Sequence, residues 1–137
     1  VRIEILERAT GDTSAVRDAL FAYNAQIVGP SGYRPLELVL RTRDGDVVGG
    51  LGGSTYWQWL VVESLWVHPS HRRHGHGRWL LSEAEAQGRA RGCRSACLET
   101  YTFQGARRFY ESAGYQVYAT LQDFPPGHAR LFMKKEL

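Results

Sequence analysis

Arg72-Arg73-His74-Gly75-His76-Gly77-Arg78 sets three arginines and two glycines directly after the apolar run Leu65-Trp66-Val67 and Pro69. The glycines let the backbone turn tightly with its amides uncovered, and Trp79-Leu80-Leu81 with the alanine-rich stretch beyond is helical in pattern. The first amides of a helix have no intrahelical acceptor, and the helix dipole makes that end partly positive. Amides, dipole and arginines together predict an anion site whose compactness suits a diphosphate. Two residues able to move protons flank it in the chain. Glu63 interrupts the apolar run Trp59-Leu60-Val61-Val62-Glu63-Ser64-Leu65, where a carboxylate seldom stands without a partner or a task. Tyr110 lies in Phe109-Tyr110-Glu111-Ser112-Ala113-Gly114-Tyr115, and a phenol of ordinary pKa about 10 is a neutral proton donor at neutral pH.

Each of these residues also has a plainer reading. Glu63 fits a solvated or arginine-paired carboxylate equally well, and Tyr110 a core aromatic in a short helix. Tyr23, Tyr33, Tyr56, Trp57 and Trp59 either line a cleft for a cationic or aromatic amine or fill a core. His68, His71, His74 and His76 invite a metal, but zinc sites ordinarily add cysteines or a second separated pair, and alternating arginines repel a dication. The expectation is therefore no metal, with His74 and His76 flanking the anion turn. His128, in Pro125-Pro126-Gly127-His128, is read first as a turn residue. Cys93 and Cys97, predicted in one strand, would stand about 13 Å apart, too far for a disulfide. Neither carries the surroundings of an activated nucleophile.

These residues need a scaffold, and 137 residues are enough for a single domain spanning 1–137 with its own core. A hydrophobic share of 43% with 23% charged residues argues against disorder. No apolar run approaches the roughly 20 residues that span a bilayer, and no signal-peptide pattern opens the chain, so no membrane and a cytoplasmic location are expected. A net charge of +3 is too small to imply nucleic acid by itself. Arg72, Arg73, Arg107 and Arg108 keep nucleic-acid binding as a lesser alternative, beside a non-catalytic nucleotide sensor.

Period-two alternation predicts an opening strand over Arg2–Glu7. A helix capped by Asp12 or Thr13 follows, with Val16, Ala19, Leu20, Tyr23 and Ile27 on one face and Gly29-Pro30 at its end. Strands over Leu36–Thr42 and Val47–Gly53 meet at Arg43-Asp44-Gly45-Asp46, a hairpin signal, and Trp59–Val67 continues the meander. The helix after the glycine turn packs Leu80, Leu81, Ala84 and Gly88, with Glu85 and Arg89 paired outside, and stops at Gly92. A strand over Arg94–Thr100 lies parallel to Trp59–Val67 by a right-handed crossover. A short helix over Gln104–Ser112 and strands over Tyr115–Leu121 and Arg130–Lys135 complete an α/β mixed sheet with helices on both faces. Exposed strands, the C-terminal one included, suggest a possible homodimer.

At this point the chain resembles the GNAT superfamily of acetyl-CoA-dependent N-acetyltransferases. The family pattern Q/R-x-x-G-x-G/A is met by Arg72-Arg73-His74-Gly75-His76-Gly77 after Leu65-Trp66-Val67-His68-Pro69, and Phe109-Tyr110-Glu111-Ser112-Ala113-Gly114-Tyr115 is similar to the family's F-Y-e-x-x-G-F/Y segment. The resemblance covers nearly the whole chain and is strongest from Trp59 to Leu137. It implies a single-domain GNAT-like fold, mostly antiparallel, with a central parallel strand pair splayed at the cofactor site. It implies acetyl-CoA as co-substrate and a small-molecule or peptide amine as acceptor. Arg72, Arg73, His74, Gly75, His76, Gly77 and Arg78 would hold the diphosphate, and backbone groups of Leu65, Trp66 and Val67 the pantetheine, with a bulge there splaying the strands. Tyr110 would be the general acid and Glu63 the general base, with Glu99 in reserve. Phe103 stands where many members place an asparagine on the cofactor, leaving Gln104 as the neighbouring substitute.

Overall fold

The computed structural model describes every residue from Val1 to Leu137, and the chain forms two compact units, Val1–Ser31 and Gly32–Leu137. In the first, one helix, α1 (Asp12–Val28), begins after Gly11 and ends at Gly29. The cap differs from the expectation. Gly11 at φ 88° holds the N-cap position with no side-chain cap, and Asp12 is already helical, its carboxylate accepting from the Thr10 hydroxyl at 2.8 Å. Left-handed backbone at the entry favours glycine, so the cap falls one residue earlier. The apolar residues Val16, Leu20, Tyr23 and Ile27 are exposed. No strand forms over Arg2–Glu7. Alternation says which side chains share a face, but a strand exists only where ladder hydrogen bonds pair it, and this segment has none.

The second unit opens with β1 (Arg34–Arg41), β2 (Val47–Tyr56) and β3 (Trp59–Val67), an antiparallel meander. Gly45 at φ 92° turns the first hairpin, as Asp-Gly predicts, and β2 runs on to Tyr56. Trp57 and Gln58 turn the second with φ of 45° and 66°, the left-handed pair that two-residue hairpins need. After a short 3-10 turn, α2 (His76–Ala90) crosses to β4 (Ser95–Tyr101), and β4 lies parallel to β3. Cys93 precedes that strand rather than lying in it. The helix expected over Gln104–Ser112 divides into a 3-10 turn at Thr102–Gln104 and α3 (Arg107–Ser112), with Gly105 left-handed between them. Then come β5 (Gln116–Gln122) and β6 (Ala129–Glu136), and the six strands run in the order β1-β2-β3-β4-β6-β5.

That order corrects the suggestion of dimerisation through the C-terminal strand. β6 is hydrogen-bonded on both sides, to β4 and β5, and presents no free edge. A hairpin returning inward places the last strand in the sheet and leaves β1 and β5 as edges.

Leu60, Leu81 and Met133 are completely buried in a core where Leu80, Leu81 and Ala84 of α2 meet Leu51, Leu60, Leu98 and Met133 of the sheet. Gly88 packs here against Leu60, and a Cβ at this position would stand in ordinary contact with it at 3.4 Å. Glu85 is buried as well, 5% exposed, and does not pair outward with Arg89. Its carboxylate accepts from the Tyr115 hydroxyl at 2.8 Å and from Lys135 Nζ at 2.8 Å. A spacing rule within one helix cannot see partners on β6 and beside β5, which alone make this burial tolerable.

Candidate active site

Two glycine-dependent devices build the site. The first is the turn. Arg73 takes φ 65° and Gly75 φ 80° as N-cap of α2, so the chain reverses with its amides outward. Trp79 N–H makes the first helical bond, to Gly75 O at 2.9 Å, and the amides before it have no helical acceptor. Arg72 donates from Nε to Val67 O at 2.7 Å, fastening the turn to the end of β3. Arg78 reaches toward α3, 3.5 Å from the Ser112 hydroxyl.

The second device is a bulge. Gly52 faces Ser64 while Gly53 faces Val62, so Glu63 is the extra residue on β3. The strands approach so closely there that a Cβ on Gly53 would lie 2.2 Å from Val61 O. Sequence reasoning expected this bulge at Leu65–Val67; it falls at Glu63. The consequence is the expected one, because the parallel ladder to β4 stops at Val62 opposite Leu98. Beyond it the strands part, and the edge of β3 from Glu63 to Val67 loses its β4 partner.

A cleft of about 890 Å³ occupies the gap, lined by β3, the glycine turn, β4 and α3. It brings together Glu63, Leu65, Trp66, Val67, Arg72, Arg73, Gly75, His76, Gly77, Arg78, Gln104 and Tyr110. His74 is not among its walls; the ring is exposed, 5.9 Å from that of His76. His71 lines the cleft instead, while its Nδ1 lies 2.9 Å from the Ser70 hydroxyl, which also meets His68 Nδ1 at 2.6 Å. Gln104 Oε1 is engaged internally, accepting from Thr100 Oγ1 at 2.9 Å and Tyr101 N–H at 3.0 Å.

Tyr110 is 8% exposed, with its ring edge-on to Phe109 and Tyr115. Its hydroxyl makes no hydrogen bond within the protein, and burial pushes its phenol above the usual range, so it holds its proton. Glu63 is exposed and has no ion-pair partner. Glu99 pairs with Arg130, whose guanidinium lies over the rings of Phe124, Phe132 and Tyr101 at 4.9, 5.5 and 5.6 Å. The two carboxylates left open by sequence thus differ: one is free and one is taken.

A smaller cleft of about 300 Å³ shares Val62, Glu63, Leu98 and Glu99 with the first and adds Val61, Cys97 and Tyr118. Sequence reasoning missed Tyr118 and Arg130, whose roles depend on strand register. Of the aromatic residues read as lining an acceptor cleft or filling a core, Tyr23 lies on α1 in the first unit, and Tyr33, Tyr56, Trp57 and Trp59 line neither cleft. Tyr33, Tyr56 and Trp57 instead gather ring on ring at centroid distances of 6.1 and 6.0 Å.

Comparison with known proteins accords with this architecture. Residues 6–115 match the family described as Acetyltransferase (GNAT) family. The chain is 41% identical over 108 residues to blasticidin-S acetyltransferase of Streptomyces morookaense, covering 76% of this chain and 79% of that one. A crystal structure of a putative acetyltransferase from Agrobacterium tumefaciens superposes with a TM-score of 0.93 at 33% identity, covering 100% of both chains. At 17% identity, a putative streptothricin acetyltransferase from Bacillus anthracis solved with acetyl coenzyme A shares the fold, with a TM-score of 0.68 over 84% of this chain and 68% of that one. On the match over residues 6–115, with the glycine turn, the splayed parallel pair and the Phe109-Tyr110 helix around one cleft, the chain belongs to the GNAT family of acetyltransferases.

Proposed function

We propose that this acetyltransferase moves an acetyl group from acetyl-CoA to a primary amine by direct attack. The observation that carries the reading is the splay at Glu63, where the cleft holding Tyr110 meets the smaller cleft through shared walls. The cleft's dimensions and donors fit the donor substrate. Exposed amides from Arg73 to Arg78, with the arginines, suit a diphosphate, and the open edge from Leu65 to Val67 suits the amides of a pantetheine arm. Gln104 has only its amide nitrogen to offer, since its oxygen is engaged.

In this reading the ammonium of the acceptor enters from the side of the smaller cleft and gives a proton to Glu63, directly or through water. The freed nitrogen lone pair attacks the thioester carbonyl carbon, and unpaired backbone amides of β3 stabilise the developing oxyanion. With the C–N bond formed, the now cationic nitrogen gives its second proton to water in the cleft, Glu63 passing the first to solvent; the C–S bond breaks, and the Tyr110 phenol delivers its proton to the departing sulfur. Tyr110 recovers a proton from solvent. The unpartnered hydroxyl on a largely buried ring suits that task, because a neutral phenol donates without first needing to be charged.

The test is a thiol-release screen with acetyl-CoA against a diverse amine library. Blasticidin S belongs among its first members, since a relative is named for it. CoA release with stoichiometric N-acetyl product is the expected result. Tight acetyl-CoA binding with no thiol release across the library would instead support a sensor.

A further inference from the structure

Beside the reacting seam, β5 departs from regular pairing. Val117 faces Met133 and Ala119 faces Phe132, leaving Tyr118 as the extra residue of a second bulge. Bulges re-aim the residue they release. The Tyr118 ring lies across β6, 6.3 Å from the Phe132 ring, and reaches the smaller cleft. β6 stands between β5 and β4, so this side chain crosses a whole strand to reach the β3–β4 seam. It is 53% exposed and makes no hydrogen bond, so packing alone does not account for its position.

The charges around the ring are ordered. At the seam, Glu63 is unpaired and Glu99 is neutralised by Arg130. Lys134 Nζ sits over the Tyr118 ring, 5.6 Å from its centroid, with no carboxylate partner. Val61 and Cys97 supply the remaining apolar wall. A visitor to the smaller cleft therefore meets one unpaired carboxylate and an aromatic ring that carries a cation over it.

We propose that Tyr118 determines acceptor specificity: its ring, with Val61 and Cys97, holds a primary amine on an aromatic or apolar body, ammonium toward Glu63, while Lys134 turns away acceptors bearing a second positive charge. This rests on the acetyl-transfer reading above. Stacking and cation repulsion both act on the acceptor and leave the acetyl-CoA cleft untouched, so the effect falls on one substrate's KM.

Steady-state acetylation of phenethylamine and spermidine by the wild type, Tyr118→Ala, Tyr118→Phe and Lys134→Gln tests it. The wild type is expected to show the lower KM for phenethylamine. Tyr118→Ala is expected to raise that KM by roughly tenfold with the acetyl-CoA KM unchanged, Tyr118→Phe to preserve it, and Lys134→Gln to improve spermidine. An unchanged phenethylamine KM in Tyr118→Ala, or a wild type preferring spermidine, overturns the proposal. If neither amine is acetylated, alkylation of Cys97 by iodoacetamide reads the cleft without turnover, with buried Cys93 as internal control. Phenethylamine should then slow Cys97 labelling in the wild type and not in Tyr118→Ala; absence of protection overturns the assignment. The acetyl-transfer reading fails separately, through absence of CoA release across the whole library.

Discussion

In the proposed mechanism Tyr110 and Glu63 divide the proton traffic between two environments. Burial raises the Tyr110 phenol, and an acid must be protonated to act, so activity is lost as pH rises through its pKa. The raised value moves that loss to higher pH than an ordinary tyrosine would give. Tyr110→Phe should lower kcat roughly a hundredfold or more while calorimetry shows acetyl-CoA binding intact. Unchanged turnover would remove the residue from the mechanism. Glu63→Gln should slow acetylation on a similar scale, whereas an unchanged rate would make Glu63 a solvated carboxylate only. Both residues were legible in the sequence, one through a motif and one as a charge in an apolar run. That Glu63 is free and Glu99 occupied was not, because Arg130 approaches from a strand 31 residues further along.

At the scale of elements, two backbone distortions create the cleft, and glycine makes each possible. Gly75 takes φ 80°, so Gly75→Val should cost about 1–2 kcal/mol in denaturant unfolding and weaken acetyl-CoA binding, by forcing a β-branched residue into left-handed backbone. Chain-local chemistry of this kind is readable, and the turn was expected where it occurs. The bulge was expected on the right strand but at Leu65–Val67 instead of Glu63, because its position follows from the close approach of Gly53 to Val61 on the neighbouring strand. Glu85 shows the same limit. Its helix suggests an outward pair with Arg89, yet Tyr115 and Lys135 hold it inside. Glu85→Ala should therefore destabilise the fold by about 3 kcal/mol, leaving Lys135 a poorly compensated charge, as chemical denaturation would measure.

Folding stability belongs to the whole molecule, and its alkaline limit follows from two tyrosines. Burial raises the phenols of Tyr110 and Tyr115, and for Tyr115 the hydrogen bond to Glu85 and the charge of that carboxylate raise it further. The folded state keeps these protons more tightly than the unfolded chain. Their contribution is fully present below the unfolded value of about 10 and is lost as pH rises through the folded values. Urea unfolding should show stability falling from about pH 9 to about pH 11, with a shallower fall in Tyr110→Phe; equal slopes would contradict this. By itself the sequence determined what depends on neighbours along the chain: the hairpin at Gly45, the glycine turn before α2, the strand–helix–strand order and the short helix that carries Tyr110. Backbone dihedral preferences and side-chain periodicity act over a few residues, so a local pattern expresses them fully. Tertiary structure alone decided what depends on neighbours across the sheet: β6 inserted between β4 and β5, Glu85 turned inward, Arg130 on Glu99 and Tyr118 carried over a strand to the seam. Register is chosen by the free energy of the whole core, and no short stretch of chain contains that sum.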